Sequence, residues 1–325
     1  MPLRTRLTER FGIEHPILGA PMAFTAGGRL AAAVTQAGGL GLIGGGYGDA
    51  EWIEREFAAA ANARVGCGFI TWSLARQPEL LDRALAHAPA AVMLSFGDPA
   101  PFAPAIRRAG SVLICQVQTL AHARQALAAG AEVIVAQGTE AGGHGGSRAT
   151  LTLTPEIADL LVRESPDTLL VSAGGIADGR GLAAALMLGA DGVLVGSRLW
   201  ASEEALVHPN HHRAAIAASG DDTVRQRAAD IVRLYPWPDE FTGRVLRNAF
   251  TERWADREDE LRRQAETLNP AYQAGIAAGD PDNVAVWVGE AAGLIDRVRP
   301  ASELIRAMAS EAERLLGPYA RGLLA

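Results

Sequence analysis

One histidine stands between two pairs of glycines in the stretch EVIVAQGTEAGGHGG (132–146), where Gly142 and Gly143 precede His144 and Gly145 and Gly146 follow it. An imidazole titrates near neutral pH, so it can take or give a proton under conditions where most side chains are fixed in charge. Glycines on both sides let a planar ligand or small substrate come within contact of the ring. A merely solvated loop histidine is the competing reading. The glycine pairs, and the phosphate-type loops elsewhere in the chain, favour the catalytic one.

Those loops are GGIADG (174–179) and VGSR (195–198), each at the end of an apolar run. Glycines at such turns let backbone N–H groups approach phosphate oxygens, and a helix start adds a favourable dipole. Gly174, Gly175 and Gly196 would form the cradle, with a hydroxyl from Ser197 and a charge from Arg198. The bland alternative is that they only make tight turns. Gln116 and Gln137 end two further apolar runs, SVLICQV and EVIVAQG. A terminal glutamine offers a donor and an acceptor to the polar edge of a heterocycle, or else bonds a neighbouring loop. Pro21 and Met22 close the first run, HPILGAPM, where the thioether could lie against an aromatic cofactor or simply fill core. HPNHH (208–212) reads as a solvated helix start rather than a metal set. No P-loop, GxSxG or zinc motif is present.

The elements that must hold these residues follow from hydrophobic pattern. Eight short apolar runs, beginning at 15, 39, 64, 91, 111, 132, 168 and 192, alternate with Ala-rich segments of helical spacing, several of which stop at glycine. Runs apolar throughout are expected for parallel strands covered on both faces. The pattern predicts an α/β protein, a (β/α)8 TIM barrel over 1–205, with a doubly wound open sheet as the rival. Either fold puts its site just beyond the C-terminal ends of the strands. After VGSRLWASEEA the composition turns charged and proline-rich, which predicts a small helical cap domain inserted after strand eight over 206–283. A return segment and C-terminal helix over 284–325 would pack back on the barrel.

Composition narrows the function. The chain has 325 residues, 49% hydrophobic, enough to bury a large core, and a formal net charge of -7, which gives no electrostatic footprint for nucleic acid or an anionic membrane. Its two cysteines, Cys67 and Cys115, lie in separate apolar runs and read as core thiols of a reducing compartment. The N-terminus lacks a signal-peptide core and no run reaches membrane-spanning length, so a cytoplasmic location is expected.

AQGTEAGGHGG together with SAGGIADGRGLAAALMLGADGVLVGSR resembles the nitronate monooxygenases, once called 2-nitropropane dioxygenases. GAPM near the start and WVGEAAGLI near the end extend the resemblance over most of the chain. It implies a TIM barrel holding non-covalent FMN under a small helical domain, and a reaction that oxidises alkyl nitronates with O2 to a carbonyl compound and nitrite without NAD(P)H. By motif position it implies flavin contacts from Gln137 and Gly142, a phosphate site at Gly174, Gly175, Gly196 and Ser197, and His144 as the catalytic histidine. Gln116 matches a position near the isoalloxazine ring in relatives. Those relatives often carry asparagine where this chain has Gly68, so the pocket near Phe69 and Trp72 is expected to differ. An NAD(P)H-dependent flavin reductase of a quinone or enoyl thioester on the same barrel is the alternative activity. The expected partners are a small-molecule substrate and O2, with a homodimer left open.

Overall fold

The computed structural model describes residues 3–319. Up to residue 200 the strands are β1 (Ile17–Gly19), β2 (Leu40–Gly44), β3 (Gly66–Ile70), β4 (Ala91–Ser95), β5 (Val112–Val117), β6 (Val133–Gln137), β7 (Gly143–Gly145), β8 (Leu169–Ala173) and β9 (Gly192–Val195). All but β7 are parallel and close into one barrel in chain order, with β9 pairing back to β1 through Ile17 and Val193. The expected (β/α)8 barrel is therefore formed. The eight apolar runs are its eight strands.

Period-two alternation explains how the strands aim their ends. Along β5, Val112 and Ile114 enter the interior of the barrel, whereas Leu113, Cys115 and Val117 face the surrounding helices. Along β6, Val133 and Val135 point inward and Ile134 and Ala136 outward. Continuing the inward set by two residues gives Gln116 and Gln137. Both amides therefore stand at the top of the interior because Val, Ile and Leu fill the layers beneath them. Leu7 and Phe11, from the helix Arg6–Phe11, join that inner cluster.

The segment after β9 carries helices and also two antiparallel strands that the sequence pattern did not announce: β10 (Thr223–Gln226) and β11 (Thr242–Leu246). They extend a three-stranded sheet in the order β10-β11-β7, so the cap pairs directly with the loop that carries His144. The cap has its own core, in which Val232, Val245, Phe250 and Trp254 pack on the long helix Glu258–Ala278. The chain returns through Val286 and Val288, buried against Trp200 and Leu246, to the helix Ala301–Arg314. Leu304, Ile305 and Met308 of that helix join the outer barrel core. Among the described residues no helix is long and apolar enough to cross a membrane.

Candidate active site

A cavity of about 1290 Å³, including its open mouth, occupies the C-terminal end of the barrel beneath the cap. Ten of the residues expected at the site line it: Pro21, Met22, Gln116, Gln137, Gly142, His144, Gly174, Gly175, Gly196 and Ser197. They come from the ends of β1, β5, β6, β8 and β9, and from β7 and the residue preceding it.

The barrel side of this wall is backbone and amide. Gly174 and Gly175 both have positive φ, 103° and 73°, a conformation that side-chain-bearing residues rarely adopt. A Cβ built at Gly196 would meet only Ala20 Cβ at 3.8 Å and Met22 Sδ at 3.9 Å, so any larger side chain there would project into the cavity. Ser197 Oγ lines the same wall and accepts from the Gly289 amide at 2.9 Å. Arg198 does not join it. Its side chain turns away, buried, and donates to the carbonyls of Ala201 and Arg297 because the returning chain packs over it.

The two glutamines form one network. Gln137 Oε1 accepts from Gln116 Nε2 at 3.1 Å and from Gln118 Nε2 at 2.9 Å, while Gln137 Nε2 donates to the His144 carbonyl at 3.0 Å. Gln137 thus ties the end of β6 to the histidine backbone. Gly68 has a local reason: a Cβ there would approach Pro21 Cγ to 2.4 Å, so close packing of Pro21, in the turn after β1, against the end of β3 leaves no room for a side chain. Phe69 lines the cavity, whereas Trp72 stands behind it, edge-on to Trp237 with centroids 5.4 Å apart.

His144 lies in a strand, not in a free loop, with its backbone opposite Gly243 of the cap. Two of its flanking glycines make room for protein. A Cβ at Gly142 would strike the Gly289 amide nitrogen at 2.5 Å, and one at Gly145 the Arg225 guanidinium at 2.7 Å. Arg225 donates to the carbonyls of Thr139, Ala141 and Gly145 and holds the loop at three points. Burial, then the neighbouring Arg244, pushes its pKa down to about 10.

The imidazole is fixed by the cap. Its Nε2 lies 2.8 Å from Asp230 Oδ2, and Asp230 Oδ1 accepts from Arg233 Nη2 at 2.8 Å. A carboxylate only accepts, so Nε2 carries the proton in the neutral ring and Nδ1 holds the free lone pair. Among the described residues nothing bonds Nδ1, nor is it buried without a partner. We therefore read Nδ1 as facing the cavity that His144 lines. Trp237 stacks on the ring with centroids 3.4 Å apart and planes 5° apart, and Trp287 lies 5.1 Å away. Burial lowers the His144 pKa, Asp230 opposes that shift through charge and hydrogen bond, and Arg233 adds to it. The lowered pKa favours the neutral ring, the form that accepts a proton.

Asp230, Arg233, Trp237, Trp287, Tyr47 and Gln118 were not singled out from sequence. Of these, Trp237 falls in YPWPDEF, within the charged and proline-rich stretch that follows VGSRLWASEEA. The remaining histidines stand apart: His208 Nδ1 accepts from the Asn210 amide at the start of the helix Pro209–Ala217, and buried His212 pairs with the Trp200 carbonyl at 2.9 Å. Both cysteines are buried free thiols, their pKa pushed up to about 12 by desolvation.

Known proteins are similar to this one across nearly the whole chain. The sequence model of the family described as nitronate monooxygenase matches residues 4–65 and 70–311. A nitronate monooxygenase of Neurospora crassa is 33% identical, with 91% of this chain and 89% of that protein covered. FabK from Thermotoga maritima superposes with a TM-score of 0.86 at 31% identity, covering 99% of both chains. A nitroalkane oxidase from Streptomyces ansochromogenes gives a TM-score of 0.77 at 28% identity, over 99% of this chain and 100% of that one. With nearly its whole length matched, and the histidine, the glutamines and the glycine loops gathered on one cavity, this chain belongs to the nitronate monooxygenase family.

Proposed function

We propose that the chain is an FMN-dependent nitronate monooxygenase, oxidising alkyl nitronates with O2 to a carbonyl compound and nitrite. The observation that carries the reading is the convergence of a glycine-walled cradle and a buried, oriented imidazole on a single cavity. The residues fit a flavin. The space in front of Gly196 is open where a side chain would intrude, and Gly174, Gly175 and Ser197 border it at a strand-end position suited to phosphate. Gln116 and Met22 would meet the ring system from below.

When bound, FMN supplies the electron acceptor and the route to O2. The protein supplies position, proton handling and exclusion of water. Neutral His144, held through Nε2 by Asp230, offers Nδ1 to take the α-proton of a neutral nitroalkane. Once protonated it becomes a donor to the nitronate oxygens. Phe69, Trp237 and Trp287 give the substrate an apolar surround. In this reading 1–205 is the flavin-binding barrel, 206–283 the cap that sets the histidine, and 284–325 the return segment, whose last residues lie outside those described. Two buried free thiols suit a reducing, cytoplasmic setting.

Two assays on the purified protein reconstituted with FMN test the proposal: nitrite release from an alkyl nitronate in air, and anaerobic bleaching of the flavin by NADH or NADPH. Nitrite in step with nitronate consumption and no rapid bleaching are expected. Rapid bleaching without nitrite would move the assignment to an NAD(P)H-dependent flavin reductase on the same barrel.

A further inference from the structure

Arg233 ends the cap helix Ala228–Val232, and its guanidinium is held from several sides. Nε donates to the Ala229 carbonyl at 3.0 Å and Nη2 to Asp230 Oδ1 at 2.8 Å. The planar group lies over the rings of Tyr235 and Trp287, 4.9 Å from each centroid. Among the described residues the third nitrogen, Nη1, has no partner, yet it is not sealed away from solvent. Arg233 lines the cavity with 12% of its side chain exposed, and it is the one charged side chain among the lining residues apart from the titratable His144.

A charge so placed has a restricted set of uses. Both Asp230 oxygens are engaged, one by His144 and one by Arg233, whereas Arg233 Nη1 is left without a protein partner among the described residues. A guanidinium stays charged at all working pH values, and its flat N–H edge matches the paired oxygens of a planar anion. Stacking on two aromatic rings fixes that edge before any ligand arrives, so little side-chain entropy is lost on binding.

We propose that Arg233 is the anion-recognising residue of this site, its Nη1 hydrogens donating to an oxygen of the substrate head group. The inference rests on the nitronate reading and deepens it. The site then selects the anionic nitronate over the neutral nitroalkane, and a carboxylate or nitrate of similar shape would compete for it.

The test uses the full flavin-loaded chain and nitrate, a planar oxyanion that does not react, titrated while the flavin absorbance is followed. Arg233→Gln should weaken nitrate binding and raise the KM for propane-2-nitronate by about 10- to 100-fold, with a smaller change for neutral 2-nitropropane. Flavin content should be retained. Arg233→Lys, which keeps the charge and loses the flat edge, should fall between the two. Nitrate binding to Arg233→Gln as tight as to wild type, absence of nitrate binding in wild type, or loss of flavin from both variants would overturn the assignment. The two readings fail separately. Nitronate turnover by wild type with an indifferent Arg233→Gln removes only the role of Arg233, whereas Arg233-dependent nitrate binding in a wild type that releases no nitrite removes only the nitronate activity.

Discussion

The two walls of the cavity are built on different principles. The barrel wall is made of strand ends and offers glycine backbone, two amides and the hydroxyls of Ser95 and Ser197, with no charge. The cap wall is made of side chains: Arg233, Trp237 and, behind His144, Asp230, all from one short stretch. His144 belongs to the barrel by chain order and to the cap by pairing, since its strand is hydrogen-bonded to β11. A wall of backbone gives a fixed shape that suits a cofactor held through many turnovers. A wall of charged and aromatic side chains sets pKa and selectivity where the substrate comes and goes.

That division can be broken at its barrel end first. Gly196→Val places branched carbons in the space that the cofactor needs, and the expected result is a folded protein that purifies without flavin and has no measurable activity. Flavin absorbance against protein absorbance, with circular dichroism as the folding control, checks it. Full flavin occupancy in this variant would show that the barrel wall is not the cradle.

On the other side, Asp230→Asn should leave flavin in place and cut turnover of a neutral nitroalkane by roughly 100-fold, because the tautomer and orientation of His144 are no longer enforced. The pH profile sharpens the point. In wild type the acid limb of kcat/KM should fall below the ordinary histidine value of 6.5, since burial lowers the His144 pKa and the base is lost only when pH drops through that lowered value. Asp230 is the group that opposes the shift, so the limb should move lower still in Asp230→Asn. An unchanged limb would separate His144 from the rate-controlling proton transfer.

The smallest effect is expected at Trp237. Trp237→Phe keeps an aromatic face on His144 but loses the indole N–H that donates to the Tyr47 hydroxyl at 3.2 Å. Net hydrogen-bond values of about 1 kcal/mol correspond to a change of roughly fivefold in kcat/KM, with unaltered flavin content. A loss as large as that of Asp230→Asn would mean that the stacking partner, rather than the carboxylate, sets the ring.

The same division governs what the sequence discloses. Strands buried on both faces appear as continuous Val, Ile and Leu runs, and strand-end glycines and glutamines interrupt those runs, so β1 to β6, β8, β9 and the barrel half of the site could be read locally. The cap half could not. Asp230 sits in AADIV, a short helical stretch like many others, and it matters only because folding brings it 2.8 Å from a ring 86 positions away. β7 spans just three residues, Gly-His-Gly, and is a strand only because β11 pairs with it, which no pattern in GGHGG announces. Arg198 misled for the opposite reason. It stands next to a true cavity residue, yet the returning chain supplies carbonyls that draw it away. Gly68 looked like a lost contact, and the structure makes it the space that Pro21 needs.

A crystal structure of the flavin-loaded protein tests the central claim most directly. The flavin phosphate is expected on the backbone of 174–176 and 196–197, and the ring within contact of His144 Nδ1 while Nε2 stays on Asp230. A phosphate bound elsewhere, or a His144 ring turned away from the flavin with its Asp230 bond broken, would contradict it.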